Sequence, residues 1–186
     1  MRNMVRILTA GVLVGCLSGG LAYADGAAGA KFKVTATQKV VAPGATFTVE
    51  VRLENVFDLG AYQFMMKLTG GGQGSLTVKN IVINKNQEDY VLGPAQSIDA
   101  WDKQQNRVGG VLMNGGKDVV SGTVAMVTIQ APKQPGTYYV NVAEGQETFL
   151  RDSTAVPISV LIGNDLAITV SDRVTPSSRD KKRSSR

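Results

Sequence analysis

Between Thr46 and Leu68 the chain reads TFTVEVRLENVFDLGAYQFMMKL. Phe47, Val49, Val51 and Leu53 alternate with Thr46, Thr48, Glu50 and Arg52. Successive side chains of a strand point to opposite faces, so this rhythm describes a strand with one apolar and one wet face. Helical spacing would scatter Glu50 and Arg52 into the apolar stripe. After a short break at Asp58-Leu59-Gly60 the alternation resumes. Tyr62, Phe64, Met66 and Leu68 then share one side, and Ala61, Gln63, Met65 and Lys67 the other. Two long strands in close succession, each greasy on one side, require a second layer to cover them.

The rest of the chain offers such a layer. Strands are expected over Lys31–Val41, Leu76–Ile83, Arg107–Met113, Val124–Ile129, Tyr138–Val142 and Thr148–Arg151. Gly109-Gly110 reads as a weak point or bulge in its strand. The closing segments Ile158–Ile162 and Leu166–Val170, joined by Gly163-Asn164-Asp165, read as a hairpin. The stretch from Asn84 to Gln105 reads as polar and irregular, and Gly70 to Gly74 as a flexible connection. About nine short strands without an amphipathic helix predict an all-β chain, a single β-sandwich of jelly-roll type.

The two ends differ from this core. Residues 1–24 read as a signal peptide: Arg2 and Arg6 precede an apolar run from Ile7 to Leu17 that is too short to span a bilayer. Ala22-Tyr23-Ala24 is a small-x-small cleavage site. Leu13-Val14-Gly15-Cys16 offers a second ending, a lipobox whose Cys16 would be lipidated. A short linker (25–30), a domain (31–171) and a basic tail (172–186) follow. The tail carries six basic and two acidic residues and almost nothing to bury, so it is expected to be disordered.

Charge and composition narrow the chemistry. Residues 25–171 hold 12 Lys/Arg against 13 Asp/Glu, so the domain has no surplus of positive charge for nucleic acid. The chain contains no His, and its one Cys is Cys16. The commonest general base and metal ligand are thus missing, as are disulfides within the domain. Ser121-Gly122 is no nucleophile elbow, because its flanks do not fit and no His could activate the serine. Glu88-Asp89 and the pair Asp99 and Asp102 lie in the polar stretch and read as structural or solvated. No catalytic residue and no cofactor are expected. Calcium needs only oxygen ligands, and Asp152 and Asn164-Asp165 are acidic turn residues near sheet ends, but no spacing marks them as a site.

The order of segments resembles bacterial cohesin domains, the receptor modules that dock dockerins. The likeness rests on Pro43-Gly44 with TFTVEVRLENV, on Leu59–Leu68, on Gly122–Ile129, on Thr148–Ser153 and on the segments from Ile158 to Val170. It covers nearly all of residues 31–171. Related sandwich modules, including some carbohydrate-binding modules, share these core and turn positions. The chain departs from the pattern at Thr69, where a glycine run replaces the usual Tyr-Asp-Pro type segment. It carries one copy of the module and no dockerin-like calcium repeat.

The resemblance implies a nine-stranded jelly roll with a protein-binding face on one sheet, in an exported cell-envelope or secreted protein. It assigns Ala61, Gln63 and Met65 to that face, with Leu112 and Asn114 from the neighbouring strand. Met65 is either an exposed apolar docking residue or covered within the fold. The rival ligand is polysaccharide, for which Trp101 with Tyr90 would serve as a stacking platform, joined by Tyr138 and Tyr139. A row of exposed aromatics favours sugar. A sheet face centred on Gln63 and Met65 without such a row favours a protein.

Overall fold

The computed structural model describes residues 29–70, 74–93 and 97–173. The expected leader with Cys16, the centre of the glycine run and the tail from residue 174 lie outside these residues. The described chain is built from strands and turns alone. The strands are β1 (Ala30–Ala36), β2 (Val40–Val41), β3 (Thr46–Gly70), β4 (Thr77–Val82), β5 (Ser97–Asp102) and β6 (Arg107–Leu112). They continue with β7 (Lys117–Gln130), β8 (Gly136–Val142), β9 (Phe149–Asp152), β10 (Pro157–Ile158), β11 (Val160–Ile162) and β12 (Leu166–Val170). The higher count comes from β2, β10 and β11, segments of two or three residues.

Pairing arranges them as a sandwich. Sheet one runs β11–β1–β3–β7–β4, and uses the first half of β3. Sheet two runs β5–β6–β3, then β9 and β8 end to end along the second half of β3, then β12 and β2. The two strands expected around a break at Asp58–Gly60 are thus one strand of 25 residues that serves both sheets. What looked like a break is a bend. Asn55 (φ 56°) and Asp58 (φ 54°) take the left-handed conformation that Asn and Asp tolerate best. Pairing with β7 slips between Val51 and Arg52 and again between Val56 and Leu59. Such bulges re-aim a strand. The buried set accordingly changes from odd positions, Phe47 to Leu53, to even ones, Tyr62 to Met66, and stays on the interior side of both sheets.

Four other expectations change. Lys31–Val41 is not one strand: β1 lies in sheet one, and β2 pairs in parallel with β12 in sheet two. The polar stretch contains an edge strand, β5. The closing hairpin does not form, because β11 pairs with β1 and β12 with β8, so the turn at Gly163–Asp165 passes between sheets. Finally, β6 has no bulge at its two glycines, and its register is continuous on both sides. Gly110 is there for packing. A Cβ on it would lie 2.5 Å from the Tyr62 ring and 2.5 Å from Asp99 Oδ1.

Candidate docking face

Paired residues on neighbouring strands share a face. From the register, the outer side of sheet two can be read row by row. Ala61 lies between Val111 on β6 and Arg151 on β9, and Val111 is flanked by Ile98 on β5. Gln63 lies between Gly109 and Phe149, with Ala100 beyond Gly109. Met65 faces Arg107, which faces Asp102. Ala61, Gln63 and Met65 therefore point away from the core while Tyr62, Phe64 and Met66 are buried.

The face is open and smooth. Ile98 on the edge strand β5 is 59% exposed and Val111 on β6 beside it 49%, high values for large apolar side chains. Nearby Met113, just past the end of β6, is exposed as well. Gly109 and Ala100 leave a shallow floor between these ridges. Polar contacts lie at Gln63 and on its β9 side. The Gln63 side-chain amide donates to the Glu147 carbonyl (3.2 Å), and Arg107 pairs with Glu147 (3.3 Å). Arg151 lies over the Phe149 ring at 5.4 Å and donates to the Ala155 carbonyl. Met65 is half-buried, neither bare nor covered over.

Leu112 is corrected by the same register. Its partner is Ser97, on the inner side of β5, and its side chain packs on the core. Val111 takes the outward place. Asn114 is exposed in the turn beyond β6. Ile98, Ala100, Val111, Phe149, Arg107 and Arg151 were not assigned from the sequence, though the alternation within SIDAWD held a signal for the first two.

Beneath this face sits a polar anchor. Tyr90 reaches from the 84–93 connection into the interior, where its hydroxyl donates to Asp99 Oδ1 and lies 3.2 Å from the Tyr62 hydroxyl. Lys85 pairs with Asp99 Oδ2 (2.9 Å), and Ser97 donates to the same oxygen. The Asp99 side chain is 2% exposed, so these partners stand in for water around a buried charge. Burial, first of all, pushes both tyrosine hydroxyls far above the ordinary range, so they remain neutral donors.

This anchor removes the sugar platform. Tyr90 is buried rather than displayed, as is Tyr138. Trp101 lies on the inner side of β5 against the core, with Lys103 Nζ 5.3 Å from its ring centre. Among the described residues no aromatic row lies on either outer face. The acidic turns hold their own structure: Asp152 accepts from Thr154 and the Val156 amide, and Asp165 from Asn141. Among the described residues no group of three or more carboxylate ligands is gathered.

Sheet one shows a different exterior. Arg52 donates to Glu50 (2.7 Å), Asp89 (2.9 Å), Thr123 and Ser121, and Thr123 donates within the same carboxylate pair. Burial opposes ionisation of Asp89, but hydrogen bonds from Thr123, Gln87 and Arg52 outweigh it and hold the carboxyl below its usual range. The network pins the 84–93 connection against β7, where Thr123 and Asp89 also share a backbone bond of 2.8 Å.

Solved structures place this architecture. CaCohA2, a protein from Clostridium acetobutylicum, was solved in complex with CaDoc0917 and superposes with a TM-score of 0.53 at 15% identity, covering 76% of this chain and 99% of that one. A non-cellulosomal cohesin from the archaeon Archaeoglobus fulgidus gives 0.52 at 14% identity over 77% and 94%. A type II cohesin domain from the cellulosome of Acetivibrio cellulolyticus gives 0.50 at 14% over 76% and 95%. The chain has the cohesin-like β-sandwich fold. No protein-family model matches the sequence, and no curated protein matches it. Among the described residues no helix is long and apolar enough to cross a membrane.

Proposed function

We propose that this chain is an exported, non-catalytic docking module that holds a protein partner on the outer face of sheet two. One observation carries the reading. Ile98 and Val111 stand exposed beside Ala61 and the half-buried Met65 on one continuous face, while around Arg52 on the opposite exterior the β3 side chains are tied up in ion pairs. Apolar surface of this kind, rimmed by polar groups, fits a protein interface. The complex of CaCohA2 with CaDoc0917 supports the choice of a protein as ligand. A dockerin-bearing protein is the first partner to try. Polysaccharide loses ground because Tyr90 and Trp101 turn inward. Export rests on the leader read in residues 1–24.

The test is capture from the source organism's secreted proteins by the immobilised full-length chain. Gln63→Arg with Met65→Glu should abolish capture and leave the melting temperature close to wild type. A matched pair of changes on sheet one, Thr46→Arg with Thr48→Glu, should leave both unchanged. Equal capture by all three proteins would remove sheet two from consideration.

A further inference from the structure

Sheet one has a half-covered edge at β1. β11 runs beside β1 only as far as Phe32, and the last bond along this edge is Gly163 N–H to the Phe32 carbonyl (2.8 Å). Backbone groups of alternate strand residues point to the same side. Val34 and Ala36 therefore direct their N–H and C=O groups as Phe32 does, away from β3. Among the described residues no backbone group pairs with either of them there.

This bare edge opens on a cleft of about 430 Å³ between β1, the bend at Lys39 and the turn from Gly163 to Leu166. Three cations line it: Lys31, Lys33 and Lys39. Lys33 meets Glu54 at 3.3 Å with half of its side chain exposed, a pairing of small energy. Among the described residues Lys31 and Lys39 have no carboxylate within ion-pair distance. Asp165 is the lining carboxylate, and it is hydrogen-bonded by the neutral Asn141 (2.7 Å).

We infer that this cleft receives an extended acidic segment of a partner protein, added as a strand along Val34 and Ala36 with its carboxylates over the lysines. Strand addition draws affinity from main-chain bonds and selectivity from alternate side chains. Both parts are present: a run of unused backbone donors and acceptors, and cations on the outer side of the same strand. The chain's own tail cannot be the occupant on charge grounds, since it carries six basic residues against two acidic. The cleft lies along the β1 edge and shares no residue with the docking face, so the two sites stand or fall separately.

The probe is a fluorescein-labelled, amidated peptide of alternating glutamate and valine, titrated against the full-length chain by anisotropy. Binding should saturate, weaken with salt, and protect the Val34 and Ala36 amides from hydrogen exchange. Lys31→Glu with Lys39→Glu should weaken it about tenfold or more while the protein stays folded by circular dichroism. Lysines are also a common guard on bare strand edges. Absence of peptide binding would leave them that role alone and overturn the inference. Equal binding of a peptide N-methylated at alternate residues would overturn strand addition. Binding of polygalacturonate in place of the peptide would reassign the cleft to anionic polysaccharide.

Discussion

Inward, the two halves of β3 are alike. Phe47, Val49, Val51 and Leu53 bury their side chains under sheet one, as Tyr62, Phe64 and Met66 do under sheet two. Outward they part. The first half shows Thr46, Thr48, Glu50, Arg52 and Glu54, and its charges are tied to Asp89 and Lys33. The second half shows Ala61, Gln63 and Met65 among Gly109, Val111 and Ile98. The same strand meets the same core demand twice and presents two unrelated surfaces. Core packing is thus silent about ligands. The exterior that is apolar without being covered is the informative one.

That contrast can be attacked at several depths. The largest effect belongs to the shared interior. Phe64→Ala should cost about 3–5 kcal/mol and Leu53→Ala about 2–5 kcal/mol in urea denaturation, because each leaves a cavity in a sealed core. A much smaller cost in one half would show that the two halves are not equally built in. Next, Gly110→Val drives a side chain into the Tyr62 ring and should cost about 1–3 kcal/mol. The same change at Gly109 points outward and should be far milder. A thermal melt of both variants decides this.

A third change touches only the surface. Val111→Lys with Ile98→Lys should remove partner capture with little change in stability, and the salt dependence of any residual binding should rise. Loss of fold would mean that these side chains are covered. The smallest effect lies in the network on sheet one. Asp89→Asn should cost a few tenths to about 1 kcal/mol, since the group is partly exposed. The sign with pH follows from its depressed folded value. Its contribution is complete above the ordinary carboxylate pKa of about 3.9 and fades as pH falls below that. Amides of the 84–93 connection should lose exchange protection in that acid range sooner in wild type than those of β3 do. The Asp89→Asn variant should lack this step.

The rhythm of β3 was plain in the sequence because its interior residues are apolar throughout and polar residues mark the exterior, all of it before the bend and Gln63 and Lys67 after it. It placed Ala61, Gln63 and Met65 outward and Phe64 inward. β5 was hidden for the opposite reason. In SIDAWD two of the three interior positions, Ser97 and Asp99, are polar because they close the tyrosine anchor, with only Trp101 apolar, while Ile98 and Ala100 face out. An inverted strand of this kind reads as loop. The confusion of Leu112 with Val111 has a simpler source. Both are apolar, so the parity of β6 is set by the pairing of its Gly110 with Tyr62 on β3, a contact between distant parts of the chain. Gly163-Asn164-Asp165 likewise has the composition of a hairpin turn, and only the pairing of β11 with β1 shows that none forms.

Because one run of 25 residues belongs to both layers, they are joined by continuous backbone as well as by their packed core. Disturbance of β3 in one layer is therefore passed to the other, and loss of structure is expected in one cooperative step. Tension applied to the second half of β3 would pass along covalent backbone into the far layer. The load would bypass the greasy contact between the layers altogether.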